Sequence, residues 1–152
     1  MQKAPNIYHQ IAAILLETAR PNCVEKARTL MPSSTLSFRS LDLTPAEITH
    51  IANCLKTADQ ESPLIRSISF SYNHTMGDAG AIALAAMLPQ SLTEIGLVGC
   101  GIGDAGGKAL LKWMQKSPKL KMACIENNHF SADLIKQLQE LSAQRPHMLL
   151  VV

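Results

Sequence analysis

Three stretches of the chain are variations on one theme. Ile65-Arg-Ser-Ile68-Ser-Phe70-Ser-Tyr-Asn73, Leu92-Thr-Glu-Ile95-Gly-Leu97-Val-Gly-Cys100 and Leu120-Lys-Met-Ala123-Cys-Ile125-Glu-Asn-Asn128 carry apolar residues at the first, fourth and sixth positions. Each ends on Asn or Cys at the ninth. Upstream, Phe38-Arg-Ser-Leu41-Asp-Leu43 fits the first part of the pattern, and downstream Met148-Leu-Leu-Val151-Val152 begins a fifth copy. The copies start at 38, 65, 92, 120 and 148, at intervals of 27, 27, 28 and 28 residues. A period of this size means that each unit is one supersecondary element, burying its apolar side against its neighbours and not by itself.

Between the strand-like runs the chain reads as helix. Thr44-Pro45-Ala46-Glu47 is a capping box with proline at the first helical position, and Ile48, Ile51, Ala52 and Leu55 continue as an apolar stripe. In the next unit Ala81, Leu84, Ala85 and Leu88 form the stripe and Pro89 closes it. Leu110, Leu111 and Met114 follow in the third. In the fourth, Ser131 is the expected N-cap and Ile135, Leu138 and Leu141 the inward face. Asp78 and Asp104 occupy the same slot in successive units and are expected to cap their own helices. Before the repeats, a helix around Ile7, Ile11, Leu15 and Leu16, with a second segment over 24–31, reads as a cap. The expected organisation is an N-terminal helical cap over 1–35 and repeats over 36–152, in one folding unit.

GCGIGDAGGKALL and YNHTMGDAGAIALAAML resemble the leucine-rich repeats, of the ribonuclease-inhibitor-like subfamily, and the resemblance covers roughly residues 36 to 152. It implies an α/β fold, a short right-handed solenoid with parallel strands on a concave face and helices on a convex one. The family's function implies a non-enzymatic protein–protein interaction module that binds its partner through the concave face. A regulator or delivered effector acting on another protein's enzymatic activity would carry the same sequence.

One motif competes with the repeat. Gly101-Ile102-Gly103-Asp104-Ala105-Gly106 is a G-x-G-x-x-G between a strand-like and a helix-like run, with Glu126 twenty residues beyond, as in a dinucleotide-binding turn. Three features oppose a nucleotide- or NAD-binding enzyme. Gly77-Asp78-Ala79-Gly80 is a twin of Gly103-Asp104-Ala105-Gly106, but its turn has no counterpart to Gly101. Thr93, Glu94 and Gly96 break the apolar run that a doubly covered parallel strand would show. A carboxylate at position 104 would also repel phosphate from the helix N-terminus.

The chain of 152 residues has a net charge of +2, with its lysines and arginines scattered, so no nucleic-acid partner is implied. No apolar run approaches the length of a membrane span. Cys23, Cys54, Cys100 and Cys124 stand far apart and His9, His50, His74, His129 and His147 are dispersed, a pattern that implies neither a metal nor another cofactor. Free thiols point to a reducing, cytoplasmic compartment, and delivery into another cell is compatible with the same reading. Cys100 replaces the asparagine that Asn73 and Asn128 supply.

Function is then sought on the strand face. The register assigns Arg39, Arg66 and Lys121 to a basic strip, and Asp42, Ser69, Tyr72, Glu94 and Glu126 to the same concave surface as partner-binding residues. Met148, Leu149, Leu150, Val151 and Val152 are an apolar strand, expected to offer an edge for pairing with a second copy as a homodimer.

Overall fold

In the computed structural model, which describes residues 6–152, the chain alternates strand and helix after two leading helices. The order is α1 (Ile7–Glu17), α2 (Pro21–Thr29), β1 (Thr35–Ser37), α3 (Pro45–Leu55), a single 3-10 turn (Ala58–Gln60), β2 (Ser67–Ser69), α4 (Gly77–Met87), β3 (Glu94–Gly96), α5 (Asp104–Gln115), β4 (Met122–Cys124), α6 (Ala132–Gln144) and β5 (Leu149–Val151). The five strands form one parallel sheet in the order β1-β2-β3-β4-β5. Parallel neighbours require a crossover, and each is made by a helix. Successive helices from α3 to α6 pack side by side, and α1 packs on both α2 and α3. This is the expected α/β leucine-rich-repeat solenoid. The first five residues of the expected cap lie outside the described part.

The middle residue of each strand points into the core. Leu36, Ile68, Ile95 and Ala123 are buried there, in register with one another and with the partly buried Leu150. They meet Ile48, Ile51, Leu84, Leu110 and Leu138 from the helices, so one continuous core runs the length of the stack. Phe38 and Phe70 stack at 5.1 Å between ring centroids and fill the first joint.

That register corrects the sequence at both ends. Leu36 stands opposite Ile68, so the first unit begins five residues earlier than the Phe38 start, and Phe38 aligns with Phe70. The intervals between in-register strand residues are 32, 27, 28 and 27, the first lengthened by the 3-10 turn. At the other end Leu150 stands opposite Ala123, one residue before the expected Val151. A one-residue slip exchanges inner and outer faces, so Leu149 and Val151 face outward at 58% and 36% exposure, while Met148 is buried.

Backbone groups at the strand-to-helix turns are satisfied by a ladder. Asn73 Nδ2 donates to Phe38 O (2.9 Å) and Phe70 O (2.7 Å), and its Oδ1 accepts from Leu43 N (3.0 Å). Asn128 repeats this with Leu97 O, Ile125 O, Cys100 N and Ile102 N. Cys100 stands between them as the sequence implies, its thiol donating to Phe70 O at 3.3 Å. Burial pushes that thiol up to about 11, so it stays protonated and serves as a donor.

Candidate functional site: the open face of the sheet

Side chains alternate along a strand, so the pairing register fixes which residues share a row on the sheet face turned away from the helices. The first row is Thr35, Ser67, Glu94, Met122 and Leu149, and the second is Ser37, Ser69, Gly96, Cys124 and Val151. Continuing past the strands, backbone hydrogen bonds from Ser40 N to Ser71 O, Tyr72 N to Val98 O and Gly99 N to Glu126 O keep the register. They place Arg39, Ser71, Val98 and Glu126 in a third row. The residues that follow, Ser40, Tyr72, Gly99 and Asn127, all have φ between 56° and 62°, the same left-handed turn four times over.

The rows bring some expected site residues together and separate others. Arg66 and Lys121 are exposed and flank Thr93 at the N-terminal ends of the strands, as anticipated. Arg39 is not their neighbour. The corrected register moves it to the opposite ends of the strands, where its guanidinium lies 4.6 Å from the centroid of the Tyr72 ring, and the His74 ring meets Tyr72 edge-on at 6.3 Å. A cation over an aromatic face is attracted by the ring quadrupole. Asp42 leaves the face altogether. It lies in the turn after β1, with φ of 52°, and Ser37 takes the place beside Ser69.

Ser69, Glu94 and Glu126 stand on the open face as expected. Glu94 Oε2 accepts from Ser67 Oγ at 3.1 Å, and Ser69 Oγ accepts from Ser71 N at 3.2 Å. Glu126 Oε2 is buried with no hydrogen-bond partner among the described residues. Burial raises the Cys124 thiol from its ordinary value, and the carboxylates of Glu126 and Glu94 raise it further, in that order. Cys124 therefore lies within the field of both. Along the stack the open face changes from hydroxyls (Thr35, Ser37, Ser67, Ser69) to carboxylates and apolar groups (Glu94, Glu126, Met122, Leu149, Val151).

The glycine motif has a different occupant from the one its string suggests. Gly103 N and Gly106 N donate to Asp78 Oδ1 at 2.9 and 2.8 Å, so a carboxylate from the preceding repeat fills the N-terminus of α5. Ser131 N donates to Asp104 Oδ1 at 2.8 Å at the start of α6 in the same way. Asp78 and Asp104 thus cap the helix of the following unit and not their own, and Gly103 caps α5 with no side-chain acceptor. Gly106 is glycine because a Cβ there would lie 2.7 Å from Ile102 Cγ2 and 2.9 Å from both Ala81 Cβ and Asp78 Oδ1. Gly101 has φ of +66°, and a Cβ would come within 2.5 Å of His74 O. A pyrophosphate would have to displace Asp78.

Two further contacts escaped the sequence. Arg20 donates to both carboxylate oxygens of Glu47 (2.7 and 3.2 Å) and to Leu41 O, which binds the leading helices to the first repeat. Arg145 Nη1 and Nη2 donate to Met114 O (2.5 Å) and Ser117 O (2.6 Å), closing the end of α5 from the next unit. Nothing in spacing or periodicity singles out an arginine that caps a helix some thirty positions earlier. Trp113 on α5 is buried, at 7% exposure. Among the described residues no helix is long and apolar enough to cross a membrane. The cysteines are free.

No curated protein matches the chain. The Leucine Rich repeat family model matches residues 61–85 and 89–111, the segments that carry β2 with most of α4 and β3 with most of α5, and it supports a leucine-rich-repeat protein.

Proposed function

We propose that the chain is a non-enzymatic protein-binding module whose partner lies across the open, concave face of the sheet. Leucine-rich repeats generally mediate protein–protein interaction, and the GDAG turns favour the ribonuclease-inhibitor-like type. One observation carries the reading for this chain. The face presents a preformed aromatic–cationic pair, Arg39 on Tyr72, standing free of the core at the ends of the strands. Arginine and tyrosine are favoured interface anchors, and a pair already held in place loses little side-chain entropy on binding.

Affinity capture from the native host separates this from its rivals. The wild-type chain and a Lys108→Ala/Lys112→Ala helix-face variant should retain the same protein, and Arg39→Ala/Arg66→Ala/Tyr72→Ala should lose it. A protein retained by all three would sink the open face as the binding surface. If the captured protein is an enzyme, its turnover with and without the chain distinguishes a regulator from a passive scaffold. Stabilisation of the chain by NAD near saturation in a thermal-shift measurement would overturn the non-enzymatic reading.

A further inference from the structure

The net charge of +2 conceals a local excess. Between Asp104 and Glu126 the chain carries Lys108, Lys112, Lys116, Lys119 and Lys121 and no carboxylate. Beyond α5 these lysines enter a turn that has a twin one repeat later. Leu120 N donates to Ser117 O (3.1 Å) across Pro118 and Lys119, and Met148 N donates to Arg145 O (2.9 Å) across Pro146 and His147. Each turn has proline second, where its fixed φ suits a tight turn, and a basic residue third. Between the twins lies a groove of about 260 Å³ whose polar lining is Lys119, Lys121, Arg145 and His147, with no carboxylate. The two prolines and the buried Leu120 and Met148 complete it. Among the described residues none of the four basic groups takes part in an ion pair. Glu94, in the neighbouring row of the open face, accepts from Ser67 Oγ instead. The fold does not demand this charge, because the corresponding turn one repeat earlier is neutral. There Leu92 N donates to Pro89 O (3.4 Å) across Gln90 and Ser91, and Asp59 shares the cleft with Lys119. Lys121 also belongs to the open face, where it and Arg66 flank Thr93. A cationic path therefore runs from Arg66 over the strand ends into the groove.

We infer that the groove between the two proline turns holds an acidic segment of the partner that lies across the open face. Carboxylates of that segment meet Lys119 and Lys121, the His147 ring offers an N–H, and the segment leaves over the strand ends toward Arg66. The argument is one of charge complementarity, which selects partners and speeds their encounter. The lining also discriminates among anions. Lysine ammonium groups are compact charges on flexible stems, suited to carboxylates spread along a chain. The one guanidinium, on Arg145, directs both terminal nitrogens to Met114 O and Ser117 O, so the fork that would grip a phosphate faces the backbone. No Phe, Tyr or Trp lines the groove, and single-stranded nucleic acid relies on such rings for stacking. The inference rests on the reading of the open face as the binding surface and adds the charge of what it binds.

Fluorescence anisotropy on the whole chain tests it with three labelled probes: a peptide alternating glutamate and serine, its glutamine counterpart, and a single-stranded oligonucleotide of equal charge. Each is titrated into wild type, Lys119→Gln/Lys121→Gln and Lys108→Gln/Lys112→Gln, the last removing the same charge from the helix face. The glutamate peptide should bind wild type and the helix-face variant alike, more weakly in high salt. Lys119→Gln/Lys121→Gln should bind it about fivefold more weakly or worse, with an unchanged circular-dichroism spectrum, and the glutamine peptide should not bind. The inference is overturned if the glutamate peptide fails to bind wild type, if both variants weaken it equally, or if the oligonucleotide binds more tightly and depends on Lys119 and Lys121. Any of these, with capture of the host protein still dependent on Arg39 and Tyr72, removes the acidic segment and leaves the open face as the binding surface. Host capture that survives every open-face variant ends both readings.

Discussion

The first joint of the stack and the middle joint solve the same problem with different chemistry. At the first, α3 is capped by its own residues. Thr44 Oγ1 accepts from Glu47 N (3.2 Å), Glu47 Oε1 accepts from Thr44 N (2.9 Å), and Arg20 clamps Glu47 from the leading helices. Asn73 then bonds the first repeat to the second in both directions, as donor to Phe38 and acceptor from Leu43. At the middle joint the ladder residue is Cys100, and the helix is capped by Asp78 from the repeat behind. A self-capped helix can form with its neighbour absent. A helix whose acceptor belongs to another repeat cannot be completed until that repeat is folded. The difference teaches that α3 is local in its stability, and that α5 is conditional on α4.

The largest effect should come from breaking the amide side of the comparison. Asn73→Ala removes three buried hydrogen bonds and orphans groups on two repeats, which should cost about 3 kcal/mol in urea denaturation. A loss near that of a surface substitution would show that the ladder is not what joins the first two units. The carboxylate side comes next. Asp78→Ala leaves Gly103 N and Gly106 N without an acceptor and removes an anion from a helix N-terminus, for about 2 kcal/mol. Hydrogen exchange should accelerate in α5 while α3 keeps its protection. Equal loosening of both helices would erase the contrast between a local and a conditional helix.

The smallest effect is on acid titration. The Arg20 side chain beside Glu47 holds that carboxyl below its ordinary range, burial opposing and the Thr44 backbone assisting. Hydrogen bonds from Ser131, side chain first and backbone second, do the same for Asp104. A carboxyl depressed in the folded state contributes stability that is complete above its unfolded pKa, about 4, and lost as pH falls through the folded value. Wild type should therefore weaken as pH falls below about 4, and Glu47→Gln should flatten part of that slope, most visibly at α3. An unchanged slope would mean that the Arg20–Glu47 clamp contributes nothing at the first joint.

The middle of the fold was legible because its period is regular and its apolar positions alternate with polar ones. Ile68, Ile95 and Ala123 pair as the spacing implies. The ends were not, for two separate reasons. In Thr35-Leu36-Ser37-Phe38-Arg39-Ser40-Leu41-Asp42-Leu43 the apolar residues alternate from Leu36 to Phe38 and again from Leu41 to Leu43, so the pattern fits in two frames. The wrong frame alone preserves a 27-residue interval. In MLLVV every residue is apolar, and without alternation nothing sets a register. On the open face, Arg66, Lys121, Ser69, Glu94 and Glu126 followed from the reliable part of the register. Asp42 was misplaced by the slip, and Arg39 reached Tyr72 only once the slip was corrected. Asp78 and Asp104 were recognisable as caps. Their direction was not, because a carboxylate at the start of one helix reads the same whether it turns inward or reaches to the next.

That forward reach gives the array a direction of growth. A block cut from Gly77 to Ile102 spans 26 residues and carries one acceptor pointing onward, in Asp78, and the block after it would open with glycines in the slot that Gly103 and Gly106 fill. Joined head to tail, such blocks match at every seam without any new side chain. Duplication within a gene would yield an extended array whose junctions are already compatible, each copy finishing the helix of the one that follows it.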